Sequence, residues 1–455
     1  MRLLIIDPLG NALDFAMRAQ KDGHDVKLCI RQTEKTRYVA RGLVEVVDDL
    51  RVWWRWADLV FNADNSFYLR DISGLLGHHP VPYMGALDES AAWELDRTVG
   101  QQVLKKHGIA VIPSKEFNDY DTAIAHVKTH DVRFVSKPSG DADKALSYVS
   151  KSPADMIYML ERWKKLGKLK SPFILQEFVP GVEMAVGGWF GPGGFNEGWC
   201  ENFEFKKFMN NDLGVTTGEQ GTVLRYVRTS KLARKVLAPL EGRLGEIGYT
   251  GYVDVNTIID DHGTPWPLEF TMRPGWPTFN IQQCLHEGDC VEWLLDTTSG
   301  KDPRNTVHDR VAVGVVMSIP DYPYSHLTRK EVLGVPVCGL TEGLLKHWHP
   351  CEMMMSKEPV PHVVAGQHVK VPMMVAAGDY LGVMTGTADT VKDAALTVYR
   401  RLRRLIVPNS PMYRTDIGKR LAKQLPTLQK HGYATGMVYS EPSSKPLSNG
   451  RSIAA

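Results

Sequence analysis

The sequence predicts an α/β chain with an N-terminal parallel-sheet α/β domain and a C-terminal mixed α/β domain. Three observations carry this. Residues 1–30 read strand, turn, helix, strand (RLLIID, PLGN, ALDFAMRAQKDG, HDVKLCI), which is a βαβ opening. A second alternation of strand and helix patterns starts near residue 109. The length, 455 residues, exceeds what one core supports, so two to four domains are expected.

The elements follow in order. ADLVFNAD (57–64) and VPYMG (81–85) read as further strands of the first sheet. Asp88 then caps one helix, ESAAWELDRTVGQQVLKKHG, ending at Gly108, a residue suited to a helix C-cap. IAVIPS is a strand, DYDTAIAHVKTH a helix, VRFVSKP a strand, SPADMIYMLERWKKLG a helix and FILQEFV a strand. Residues 183–227 read mainly as β, with loops at GPGG and NNDLGVTTGEQG. LARKVLAPLEGRLGEIG is a helix, and GDCVEWLLDTTSG another. Residues 310–408 hold the strands RVAVGVVMSI and YLGVMTG and the helix DTVKDAALTVYRRLRRLI. From about 436 the chain is rich in Ser, Pro, Gly and Asn, a composition expected to be mobile.

Bulk composition excludes several classes. A net charge of +2 gives no electrostatic case for nucleic acid or a membrane surface as partner. The six cysteines form no CxxC pair, so reduced thiols and a cytoplasmic setting are expected. No apolar run approaches the ~20 residues that span a bilayer. The histidines give neither HExxH nor a zinc spacing, and the GxGxxG of a dinucleotide site is absent.

The chemistry concentrates between Tyr252 and Thr278, YVDVNTIIDDHGTPWPLEFTMRPGWPT. Asp254 and Glu269 each sit in a short apolar β-type run, joined by the turn Asp260-Asp261-His262-Gly263. Such a hairpin brings both carboxylates to one side, with Arg273 and Pro274-Gly275 behind them. Two acids inside apolar strands are costly to leave unpaired, which favours a metal site over a solvated face. Weaker signals accompany it. Lys137 ends an apolar strand beside a polar loop carrying Lys144, a setting for phosphate contact, although a strand-end lysine is by default solvated. Glu177, Phe178 and Val179 offer an apolar slot and backbone groups for an adenine, with Glu183 in reach of ribose hydroxyls; an ordinary hairpin is the alternative. The Gly10-Asn11 turn can present N–H groups to a phosphate or be a plain βα turn. FEFKKFMNNDLGVTTGEQGT holds Lys206, Asp212, Thr216, Thr217 and Gly218 in a loop that either binds substrate or is a surface loop.

In order, these pieces resemble the ATP-grasp ligases, and more closely glycinamide ribonucleotide synthetase (phosphoribosylamine–glycine ligase), from residue 1 to about 425. FVSKPSG resembles that family's phosphate-lysine strand, ILQEFVPGVE its adenine linker and PLEFTMRPGWPT its EFNxRxGDPE. MYRTDIGKRL is similar to its YRxDIGxRAL. The resemblance implies an N-terminal domain over 1–88 and an ATP-grasp domain over 89–304, with a small subdomain and lid over 109–180 and a catalytic subdomain over 181–304. A C-terminal domain over 305–435 and a flexible tail over 436–455 follow. The lid is expected around 138–150. The resemblance further implies ATP contacts at Arg97, Lys137, Lys144, Glu177, Phe178, Val179, Glu183 and Lys206. Mg²⁺ (or Mn²⁺) falls to Asp254, Glu269 and Thr271, and substrate contacts to Gly10, Asn11, Asp212, Thr216, Thr217, Gly218, Arg273 and Gly275. Arg273 and Lys137 are the expected catalytic pair.

The implied reaction is amide formation through an acyl phosphate, joining an amino acid carboxylate to an amine, both small molecules. Phosphoribosylamine plus glycine in purine metabolism is the first expectation. A different amine, or a nucleotide-binding regulator without turnover, are the alternatives. A monomer or homodimer is expected. The substrate half diverges: Thr271 stands where the family has asparagine, Asp379 where it has arginine, and Trp276-Pro277-Thr278 where it has DPE.

Overall fold

The computed structural model describes residues 1–138, 147–168, 172–303, 307–324, 330–364, 367–408 and 410–441. The expected βαβ opening forms. Arg2–Ile6 pairs in parallel with Asp25–Cys29 and with Leu59–Asn62. Glu45–Val47 and Tyr83–Met84 complete a five-stranded parallel sheet. Its strands are near-continuous apolar runs because both faces are covered: Leu3 and Ile5 enter one core, Leu4 and Ile6 another.

Between Ser114 and Glu177 lies a four-stranded antiparallel sheet, ordered Ser114–Phe117, Phe173–Glu177, Phe134–Pro138, Tyr148–Val149. Helices Tyr120–Lys128 and Pro153–Lys165 cover it. This unit owns a core of its own, built on Phe117, Tyr120, Phe134, Leu160, Trp163 and Phe173.

The largest layer is a nine-stranded sheet. From one edge it runs Pro265–Thr271, Gly251–Ile259, Val182–Gly191, Trp199–Glu204, Gly221–Val227, Val311–Ser318, Tyr380–Ala388 and Trp348–Pro350, with Gly194–Phe195 paired to Val182–Gly191. The pair Gly221–Val227 with Val311–Ser318 (Gly221 opposite Val315) carries the sheet across residue 304, where the sequence suggests a boundary. One apolar core therefore runs from the first parallel sheet through the central region to helix Val391–Leu402.

Several local expectations change. The linker helix is two helices, Asp88–Leu95 and Arg97–Lys106. Asp96 breaks them: it is extended, and its carboxylate accepts Thr98 N–H (2.9 Å) and Val99 N–H (3.2 Å) as an N-cap. Asp88 lies inside the first helix rather than capping it. IAVIPS is not a strand; Ile109 and Ile112 are buried, but pairing starts only at Ser114, past Pro113, which has no N–H to give. Pro239 splits the helix after residue 230 into Lys231–Val236, a 3₁₀ turn and Glu241–Glu246. The Asn210–Gly221 stretch is partly ordered as a hairpin of Lys207–Met209 with Leu213–Thr216. The start of the expected mobile tail is packed: Met437 is buried, and Val391 and Lys392 donate to the carbonyls of Val438 and Tyr439 (both 2.9 Å).

The aromatic knot behind the central sheet is a test of this packing. Trp189 sits edge-on to Trp293 (4.6 Å between centroids) and against Tyr252 and Phe279. Trp189→Ala is expected to cost about 3–5 kcal/mol in urea unfolding, the range of a buried aromatic truncation. A loss under about 1 kcal/mol would mean the knot is not a core element.

Candidate active site

The hairpin of the sequence analysis forms an edge of the large sheet, and its register fixes which side chains share a face. Asp254 stands opposite Thr271, and Asn256 opposite Glu269. Extended across the neighbouring strands, Asn202, Ala185, Asn256 and Glu269 make one row, and Cys200, Gly187, Asp254 and Thr271 the next. Residues two apart on a strand share a face, so Glu183, Asn202, Glu204, Asp254, Asn256, Glu269 and Thr271 form a single oxygen-rich surface. Gly187 makes room for it: a Cβ there would lie 2.0 Å from the Tyr252 hydroxyl and 2.8 Å from Asp254 Oδ2.

Lys206 is the centre of this face. Its Nζ lies 2.9 Å from Glu183, 3.1 Å from Glu204 and 3.4 Å from Glu269. Burial works against its charge, but the three carboxylates outweigh it and hold the ammonium protonated well above the ordinary lysine range. Glu269 also meets Arg97 (3.1 Å). Burial pushes the Glu269 carboxyl up; Lys206, Arg97 and Lys137 together overcome this and hold it far below the usual range. Asp254 is different. Burial, reinforced by Glu204, raises it to about 7, against hydrogen bonds from Asn202 (2.9 Å) and the Tyr252 hydroxyl (3.2 Å). Asn256 Nδ2 reaches Glu204 at 2.8 Å, while the Oδ1 atoms of Asn202 and Asn256 are buried without a partner among the described residues.

Lys137 ends the Phe134–Pro138 strand of the small sheet and is turned to this face, where Arg97, Glu269, Lys206 and Glu183 all act on it. Burial, then the nearby Arg97 charge, depress its ammonium to about 8. Glu177, Phe178 and Val179 form the passage from the small sheet to the Val182–Gly191 strand. Phe178 is stacked under the Arg133 guanidinium (3.6 Å) and its N–H bonds the Arg133 carbonyl (2.8 Å). Lys144 and most of the expected lid, around 138–150, lie outside the described residues.

Other expected residues are placed differently. Arg273 is not among the groups on Asp254 or Glu269; its guanidinium meets Glu94 (3.0 Å) and the Pro274 carbonyl (3.0 Å). Gly275 accepts Phe279 N–H at the start of helix Thr278–Gln282. At the Gly10-Asn11 turn the buried Asp7 carboxylate accepts the N–H groups of Leu9, Gly10 and Ala12. Asp212 is engaged by the C-terminal motif, meeting Arg414 (2.8 Å) and Arg420 (3.1 Å). Arg414 is itself buried and also grips Asp416 through two bonds (2.8 and 2.9 Å). Thr216 accepts from Lys207 (2.9 Å), Thr217 donates to the Lys206 carbonyl (3.0 Å), and Gly218 has open space at its Cβ position.

Sequence reasoning missed Asn202, Glu204 and Asn256, although a signal was present. Three strands of the large sheet each carry polar residues two apart inside apolar runs: Asn202 and Glu204, Asp254 and Asn256, Glu269 and Thr271. Glu94 had no local signal; only the tertiary fold brings it to Arg273 and to Met272 N–H (2.7 Å).

Comparison with known proteins bears on the fold. The structure matches the phosphoribosylamine–glycine ligase of Thermotoga maritima with a TM-score of 0.69 at 17% identity, covering 91% of this chain and 100% of that one. The chain has the ATP-grasp fold and is similar to phosphoribosylamine–glycine ligase. An L-amino acid ligase from Bacillus licheniformis shares the fold at a TM-score of 0.57 and 13% identity, covering 90% of this chain and 98% of that one. In sequence, the phosphoribosylamine–glycine ligase of Ralstonia nicotianae is 24% identical over 354 residues, spanning 75% of this chain and 79% of that protein. That of Xanthomonas axonopodis pv. citri is 24% identical over 348 residues, spanning 74% and 76%. No family model matches the chain.

Lys137 gives this candidate site a pH test. Its folded-state value of about 8 lies below the ordinary 10.5, so its charge is lost as pH rises through about 8. Affinity for ADP is expected to be highest below that pH and to weaken between pH 7 and 9 in calorimetric titration. Lys137→Met should flatten the profile; an unchanged slope in that variant would assign the effect elsewhere.

Proposed function

We propose that the protein is an ATP-dependent carboxylate–amine ligase that forms an amide through an acyl phosphate and releases ADP and phosphate. One observation carries the reading: an oxygen-only face (Asp254, Glu269, Thr271) is opposed by three cations, Lys137, Arg97 and Lys206, drawn from separate elements. Transfer to a carboxylate brings anions together, and such a set neutralises them without a covalent nucleophile.

The donor chemistry fits Mg²⁺. Asp254, Glu269 and Thr271 would hold it, and the metal would supply charge neutralisation on the phosphates. Among the described residues no three His, Cys, Asp or Glu side chains gather as a closed cage. Mg²⁺ takes one or two carboxylates and leaves its other positions to phosphate and water. The protein's own groups do the rest. Lys206 and Arg97, now spent on Glu269, turn to an incoming triphosphate, which frees Glu269. Lys137 binds the phosphates from the small sheet. Glu177, Phe178 and Val179 border the adenine, and Glu183 the ribose. Arg273, steadied by Glu94, borders the transferred phosphoryl group. Arg414 and Arg420 steady the hairpin before Thr217 and Gly218.

For the substrates, the relatives' names support glycine and phosphoribosylamine, or a close analogue, in purine metabolism. A second reading, the same reaction on a different amine, is favoured by Asp379 and its surroundings. A cytoplasmic setting is proposed; no helix among the described residues is long and apolar enough to cross a membrane.

A coupled ADP assay with an amino acid panel and an amine panel tests the reading. ADP release should require both partners, and Glu269→Ala should abolish it while the melting temperature holds. Turnover retained in that variant would refute the metal assignment.

A further inference from the structure

Lys206 is placed by its main chain as well as by its charges. It sits in a short link between two strands: Trp199–Glu204 ends before it and Lys207–Met209 begins after it. Across this link four consecutive carbonyls are each held. The Phe205 carbonyl accepts Gln220 N–H and the Lys206 carbonyl accepts Thr217 N–H (both 2.8 Å). The outer two belong to the C-terminal motif MYRTDIGKRL. Arg420 donates to the Glu204 carbonyl (2.5 Å) and Arg414 to the Lys207 carbonyl (3.0 Å). Both guanidiniums also lie over the buried Phe205 ring, Arg420 at 4.0 Å from its centroid and Arg414 at 5.2 Å.

The arginines are fixed independently of Lys206. Their second arms meet on Asp212, at 2.8 Å from Arg414 and 3.1 Å from Arg420. Thr415 and Asp416, between them in sequence, hold Asn210 (2.7 and 2.9 Å) and Asn211 N–H (2.8 Å). The motif is stitched to the large sheet by reciprocal main-chain bonds between Ser318 and Met412 (2.9 and 2.7 Å). Ile417 N–H ties it to helix Val391–Leu402 through the Tyr399 hydroxyl (3.0 Å). This matters because a lysine ammonium rides on a flexible four-carbon stem, so its place among three carboxylates depends on where its main chain lies. A guanidinium carries its donors in a rigid fork and can grip a carbonyl and a carboxylate together.

We infer that Arg414 and Arg420 are positioning residues for Lys206. By gripping the carbonyls on either side of it, they set the main chain from which its ammonium reaches Glu183, Glu204 and Glu269 and then the phosphates of a nucleotide. The C-terminal region contributes to nucleotide binding through this lysine. The inference rests on the nucleotide half of the ligase reading.

Calorimetry with ADP and Mg²⁺ on the full chain tests it as a double-mutant cycle. Arg420→Gln should weaken ADP by about tenfold, the scale of a hydrogen bond to a charged group. In a chain already carrying Lys206→Met, which has no ammonium left to misplace, the same change should cost less than about twofold. Asp212→Asn loosens both arginines from an exposed position and runs the same cycle if Arg420→Gln does not fold. Arg225 provides the control. It makes a similar clasp elsewhere, on Asp309 (2.7 Å) and the Gly436 carbonyl, so Arg225→Gln should lower the melting temperature and leave ADP affinity unchanged. Equal weakening with and without Lys206, no weakening in either Arg420→Gln or Asp212→Asn, or the same loss in Arg225→Gln overturns the proposal. An unmutated chain that does not bind ADP with Mg²⁺ sinks the nucleotide reading instead. The cycle is then read in urea midpoints, where additive shifts from Arg420→Gln and Lys206→Met overturn the positioning and a non-additive pair retains it.

Discussion

The site is organised by one ammonium held among three carboxylates. Lys206 contacts Glu183, Glu204 and Glu269, which come from three different strands of the large sheet. Like charges so close would repel, and without the lysine one or more of them would take up a proton. With it, Glu269 stays ionised in an otherwise buried setting. The face is therefore charged and poised before any ligand arrives. The electrostatic work of assembling it is done by folding rather than by binding.

The architecture serves this arrangement. The large sheet gives a rigid floor, because its strands are buried and paired on both sides through most of its width. The small sheet, with its separate core, brings Lys137 to the same place from another direction. Two units with separate cores and a shared charged seam suit opening and closing over a nucleotide, since moving one does not unpack the other. The continuity of the floor past residue 304 also means that the C-terminal region is joined to the site through main-chain hydrogen bonds.

Much of this was legible in the chain. The βαβ opening follows from short apolar runs punctuated by glycine, and the hairpin of Asp254 and Glu269 from acids embedded in strands. The linker helix was misjudged because Asp96 lies within a periodic run, and periodicity does not reveal a residue that caps rather than continues. The same limit hid Pro239 as a true break. The least legible features were those set by tertiary proximity alone. Glu94 under Arg273 and Arg414 beneath the 207–216 hairpin are each far in sequence from what they touch. No local pattern encodes such meetings; they depend on strand order.

Asp7 gives the N-terminal turn a particular character. Its carboxylate fills the ring of N–H groups at Leu9, Gly10 and Ala12, a position where a free anion would otherwise sit. Burial raises the group only to about 6, so it remains mostly ionised at neutral pH. The chain thus carries its own competitor. A tethered carboxylate acts at an effective concentration of millimolar order or above, and a free phosphate must displace it and leave it buried and unpaired. The turn keeps the shape of an anion receptor whose N–H groups at Leu9, Gly10 and Ala12 are answered from within the chain.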